Sequence, residues 1–172
     1  MKNLFYTLVF LISSNIVAQS QEFSNTIEAL SNELKTVESG KYQYSQKIQV
    51  NQPGVVSLEL NKTALKDGET STMSYEFNLA DIDINTVRTI TEKDIINVQL
   101  FVDKKQNLIR VMENGEKIYF KDEIFLQASD IENGRAIEEL IKTSIPVAEK
   151  ITESRLSLTT YDEHIAWLSK NI

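Results

Sequence analysis

Between Tyr42 and Leu126 the apolar residues fall at alternate positions, in short segments divided by turn chemistry; beyond Ser129 the spacing becomes helical. A side-chain period of two belongs to strands with one buried face, and a period near 3.6 to a helix laid on a core. Strands followed by helices point to an α+β domain. Seven strands are expected. Tyr42, Tyr44, Ile48 and Val50 make the first, ending at the turn Pro53-Gly54. Val56, Leu58 and Leu60 make the second, ending near Asp67-Gly68, and Met73, Tyr75, Phe77 and Leu79 the third. Ile96, Val98, Leu100 and Val102 form a fourth, with Ile95 and Phe101 on its other face, which suits a central strand. Lys104 to Asn107 turn the chain into a fifth strand, Leu108 to Met112. Asn114-Gly115 then signals a tight hairpin, because a type I′ turn needs positive φ at both central residues. Lys117 to Phe120 and Ile124 to Leu126 complete the set, read as a strongly bent antiparallel meander. The stretch from Ala80 to Lys93 carries no clear period.

Helices are expected on either side. Asn25 and Glu28 have the spacing of a capping box, with Ile27, Leu30, Leu34 and Val37 on one face and Gly40 as the stop. Ser129 and Glu132 repeat that spacing before a long helix lined by Ile137, Leu140, Ile141, Ile145, Ala148 and Ile151. Pro146 lies inside it and should kink or split it near Ile145, since proline lacks the N–H for an i−4 bond. Thr160 and Glu163 open a short terminal helix, an arm over 159–172 with Tyr161, Ile165, Leu168 and Ile172 in one stripe. The order Ile27, Leu30, Ser31, Leu34 returns in register as Ile165, Leu168, Ser169, Ile172, as two amphipathic helices of the same period would show.

Several stretches of the chain resemble a group of small exported bacterial proteins of unknown function. They are YEFNLADID (Tyr75 to Asp83), NGEKIYF (Asn114 to Phe120), DIENGRAIEELI (Asp130 to Ile141) and the terminal WLSKNI (Trp167 to Ile172). The resemblance implies a pleckstrin-homology-like (PH-like) barrel of about seven strands, with the long helix closing one end. It implies no catalytic residue, and none is carried over.

The N-terminus has the three parts of a secretory signal. Lys2 supplies the positive start, Leu4 to Ile12 an apolar run, and Ala18-Gln19-Ser20 the small residues before a cut expected between Ser20 and Gln21. The apolar run is shorter than the ~20 residues of a spanning helix. Residues 1–20 therefore read as a signal peptide and 21–172 as one exported domain, periplasmic or extracellular. Removing 20 of 172 residues leaves 152, enough for a core without staples, and the chain has no cysteine for disulfides or lipidation. Loss of Lys2 takes the formal charge from −7 to −8, which gives no electrostatic case for nucleic acid or an anionic membrane surface.

Candidate chemistry is sparse. His164 is the single histidine, flanked by Asp162 and Glu163, yet adjacent residues on a helix do not face each other. A half-buried structural histidine is the plainer reading. Asp81 and Asp83 fall on one side of an extended segment but lack the six to eight oxygen ligands of a calcium site, and Asp103 and Asn107 bracket a turn without its glycine. No glycine-flanked nucleophile accompanies the histidine, and Gly134 alone makes no phosphate loop. No catalytic residue, metal ligand or cofactor is assigned. Trp167 stands beside the stripe of the terminal helix, either folded onto the domain or offered to a partner as an interface anchor. The expected function is a non-enzymatic binding or interaction module for a protein, peptide or apolar ligand. A small enzyme with a carboxylate–hydroxyl site and an accessory envelope protein are the alternatives.

Overall fold

The chain was analysed as a computed structural model that describes residues 19–92, 94–156, 165, 166 and 169. Residues 19–33 form helix α1, and nine antiparallel strands and one long helix follow it. The strands are β1 (Val37–Ser39), β2 (Tyr42–Gln52), β3 (Val55–Ala64), β4 (Thr70–Asn78), β5 (Arg88–Glu92), β6 (Ile95–Phe101), β7 (Ile109–Glu113), β8 (Lys117–Lys121) and β9 (Glu123–Ala128). Helix α2 runs from Ile131 to Leu156.

The α+β class and the two flanking helices stand, but the single meander of seven strands does not. Six strands form one sheet in the order β1-β2-β3-β4-β7-β8, and three form another in the order β5-β6-β9. The chain leaves the first sheet after β4, builds β5 and β6, returns for β7 and β8, and crosses at Asp122 into β9. Among the described residues no continuous ladder closes the two sheets on each other, and an isolated bridge joins Ile82 to Val102.

The extra strands are β1 and β5. Val37, expected on the helix, is in β1, because α1 has already ended: Asn133 donates through Nδ2 to the Glu33 carbonyl, and Gly40 turns the chain at φ +57°. Strand β5 emerges from the stretch without a period and pairs with β6 from Arg88↔Gln99 to Glu92↔Ile95. Asn25 is no cap, since the helix is formed by residue 19; its Oδ1 instead accepts from Gln21 Nε2 at 2.8 Å. The cap of α2 falls one residue later than expected. The Asp130 carboxylate accepts from the Asn133 N–H at 2.7 Å, and the Asn133 side chain accepts from the Ser129 N–H at 3.1 Å.

Pro146 does not split α2. The helix runs on from Ile131 to Leu156 with the proline on its exposed face, between buried Ile145 and Val147, where its ring meets solvent rather than the core. The Asn114-Gly115 hairpin is as expected, with φ of 50° and 77°, and joins β7 to β8.

The core joins both sheets to both helices. Phe23, Ile27, Leu30 and Leu34 of α1 and Ile137, Ile141, Ile145, Ala148 and Ile151 of α2 meet Ile48, Val56, Leu58, Phe77, Ile109 and Val111 of the first sheet and Val98, Leu100, Ile124 and Leu126 of the second.

Candidate functional site

Strand register puts Tyr44, Leu60, Lys62, Ser71, Met73 and Tyr75 on the same face of the first sheet as the core residues Ile48, Leu58 and Phe77. Toward Tyr44 and Ser71 this face extends beyond the core and meets the edge of β9. Between them lies a groove of about 200 Å³, walled by Lys121 and by Glu123, Ile124, Phe125 and Gln127 of β9.

Two residues that line the groove carry polar groups without adequate partners. Gln127 is 8 % exposed, and its Oε1 is buried without a hydrogen bond. An orphaned buried acceptor costs about 1–3 kcal/mol. The Tyr75 hydroxyl donates to the Met73 thioether at 3.1 Å, a weak acceptor. Burial, reinforced by Tyr119 and the Glu113 carboxylate, pushes this phenol up to about 12. At the mouth, Lys62 Nζ lies 3.9 Å over the Tyr42 ring, and Lys121 Nζ lies 5.7 Å from the Tyr119 centroid.

One further contact shapes the groove. Gln46, on the groove-lining face of β2, donates through Nε2 to the Gln127 carbonyl at 2.8 Å and accepts through Oε1 from the Gln127 N–H at 2.9 Å. A side-chain amide thus occupies one rung of the β9 edge.

The residues singled out in the sequence lie elsewhere. Ser20 and Gln21 are in α1, where the Ser20 carbonyl accepts from Ser24 Oγ. Asp83 caps a 3-10 turn through the Asn85 N–H at 3.0 Å, while Asp81 is half-buried in the turn before it, and burial pushes its carboxyl up. They have separate local roles, and no group of three His, Cys, Asp or Glu side chains converges among the described residues. Asp103 opens a 3-10 turn, and Gly134 is buried in α2 against Thr89. His164 and Trp167 lie outside the described residues, as does most of the expected terminal helix; residues 165, 166 and 169 are helical, and Ile165 is 47 % exposed. Among the described residues no helix is long and apolar enough to cross a membrane. Sequence reading missed the groove altogether; its one local signal was the alternation of Leu60, Met73 and Tyr75, which reads equally well as core.

In comparisons with protein-family models, with curated proteins and with solved structures, nothing matches this chain.

Proposed function

We propose that the chain is an exported, non-enzymatic binding module whose ligand, apolar or peptidic, sits in the groove between β9 and the first sheet. The observation that carries this reading is the pair of underused polar groups on its lining residues, Gln127 Oε1 and the Tyr75 hydroxyl, around a mostly apolar hollow. A concave, mostly apolar site with a few convergent polar groups is the usual form of a ligand pocket. Acid–base chemistry between paired carboxylates has little support, because Glu123 is the one carboxylate among the lining residues.

The rest of the proposal comes from the sequence. Signal cleavage before Gln21 would deliver residues 21–172 to the periplasm or beyond. The PH-like reading describes the two sheets as halves of a barrel that α2 closes, with the groove at its open seam. The order of the late strands and the long helix directly after β9 support it. Trp167 remains a second candidate contact, for a protein partner.

A native mass spectrum of the protein purified from its own host tests the proposal. The expected result is a chain beginning at Gln21 with an additional small mass, lost when Leu60→Trp fills the groove. A bare chain in both preparations counts against the groove. A large co-purifying mass that survives Leu60→Trp but not Trp167→Ala moves the function to the terminal arm.

A further inference from the structure

The ladder between β6 and β9 dictates which way each main-chain group of β9 points. In antiparallel pairs, residues that exchange hydrogen bonds alternate with residues that do not. Gln127 turns its N–H and C=O away from β6, because both are bonded to the Gln46 side chain. Alternation then turns the N–H and C=O of Phe125 and Glu123 outward as well. The rung beyond agrees: Asp122 is bonded on the β6 side, its carbonyl accepting from the Val102 N–H at 2.8 Å. Among the described residues the outward groups of Glu123 and Phe125 have no partner, and both residues line the groove.

Gln46 shows what this edge accepts. A carboxamide is chemically a peptide group, and it makes with Gln127 the reciprocal pair of bonds that a residue of a neighbouring strand would make. The hollow beside the edge, at about 200 Å³, exceeds the roughly 150 Å³ apolar cavity that holds a benzene ring, so it takes one aromatic side chain. Gln127 lines the hollow and its buried Oε1 lacks a donor, so a turn of the carboxamide toward the hollow would let a phenol or indole, but no aliphatic side chain, supply one. Lys62 and Lys121 line the same groove against the single carboxylate of Glu123, and neither lysine is in an ion pair among the described residues, so the net positive charge favours acidic residues beside the anchor.

Resting on the groove as the binding site, we propose that β9 receives an extended peptide segment as an added strand. The peptide bonds to Glu123 and Phe125, sets an aromatic side chain in the hollow and directs acidic neighbours to Lys62 and Lys121. Recognition by strand addition takes affinity from main-chain bonds and specificity from alternate side chains. Gln46 limits the edge, so the segment is short.

The test uses the isotope-labelled chain from Gln21 with two probes, acetyl-Asp-Val-Tyr-Val-Asp-amide and p-cresol, the latter standing for the anchor alone. The expected result is that the pentapeptide protects the Glu123 and Phe125 amides from hydrogen exchange and binds at least tenfold more tightly than p-cresol. N-methylation of alternate peptide residues, in one of its two phases, should abolish that advantage. Phe125→Pro removes the outward N–H and leaves the rungs to β6 in place, so it should weaken peptide binding at least tenfold relative to Phe125→Ala. Should Phe125→Pro fail to fold, the N-methylated peptides decide alone. If p-cresol binds in the groove while the peptide binds no better, or N-methylation in neither phase matters, strand addition is overturned and the groove stands as a small-ligand site. If neither probe perturbs the groove, both readings fall.

Discussion

Tyr75 sits where the core gives way to the groove, and its phenol is the most perturbed acid–base group there. Its ordinary value of 10 rises to about 12 through burial, Tyr119 and Glu113, so the folded chain holds this proton to a higher pH than the unfolded one. The sign follows. The stabilisation is complete below about pH 10 and is lost as pH rises toward 12, because the unfolded phenol ionises first. A tyrosinate absorbance titration should show one late-ionising tyrosine, absent in Tyr75→Phe, and the fall in stability between pH 10 and 12 should be shallower in that variant. Persistence of the late component in Tyr75→Phe would assign it to another ring. Gly134 makes a second residue-scale case. Alanine is favoured over glycine in a helix by about 1 kcal/mol, but a Cβ here would lie 2.7 Å from Thr89 Cγ2. Thr89 cannot swing aside without breaking its hydroxyl's bond to Glu138 Oε2 at 2.9 Å. Gly134→Ala should therefore destabilise by about 1–3 kcal/mol in urea denaturation, and adding Thr89→Ser, which removes Cγ2, should restore most of the loss.

At the scale of elements, Glu138 is the clamp between α2 and β5. Its carboxylate accepts from the Thr89 N–H at 2.7 Å, from the Thr89 hydroxyl and from Lys142 Nζ at 2.6 Å. Burial would raise this carboxyl, but these three donors outweigh it and hold it below its ordinary value of 4.5. The clamp is thus fully present above about pH 4.5 and lost as pH falls through the depressed value. Glu138→Gln should cost about 1–2 kcal/mol at neutral pH, and its gap from the parent chain should narrow under acid; a gap constant from pH 7 to pH ~3 would refute the clamp. This clamp also explains why β5 was not legible. Arg88-Thr-Ile-Thr-Glu92 has one large apolar residue, and its strand conformation comes from β6 and Glu138 rather than from any pattern of its own. Likewise α1 stops where Asn133, 100 residues away, bonds to the Glu33 carbonyl, so local spacing carried the expected helix too far, to Val37. The strands legible from their own pattern, β2 to β4, β6, β7 and β9, are those whose alternation faces the core directly, whereas β8, with Ile118 and Phe120 exposed, was legible through the Asn114-Gly115 turn before it. The groove was hidden for the same reason as β5: its defining contact joins Gln46 to Gln127 across 81 residues.

For the molecule as a whole, the arrangement of α1 ties the proposed processing of the chain to its stability. Phe23 is fully buried, and with Ile27 and Leu30 it forms the part of the core that only α1 provides. A cut between Ser20 and Gln21 leaves two residues ahead of Phe23; of the described residues it removes Gln19 and Ser20, neither of them in the core, and with them the Ser20 carbonyl that accepts from Ser24 Oγ. A cut only a few residues later would take Phe23 with it. Burying a side chain of this size contributes about 1.5–3 kcal/mol, and truncating a buried Phe to Ala costs about 3–5 kcal/mol, against a total of about 5–15 kcal/mol for a domain. In a chain that starts at Gln21, Phe23→Ala should therefore lower the unfolding free energy by about 3 kcal/mol or more. A chain that starts at Ser31, without Phe23, Ile27 and Leu30, should lose cooperative unfolding. Urea denaturation of the three proteins decides it. If the chain from Ser31 unfolds as sharply and at the same midpoint as the chain from Gln21, α1 is dispensable to the core, and the position of the cut carries no structural consequence. If the order of stability is as expected, the two sheets and α2 need the first helix to complete their core, and the cut expected from the sequence lies just upstream of Phe23, the first of the described residues whose side chain fills that core.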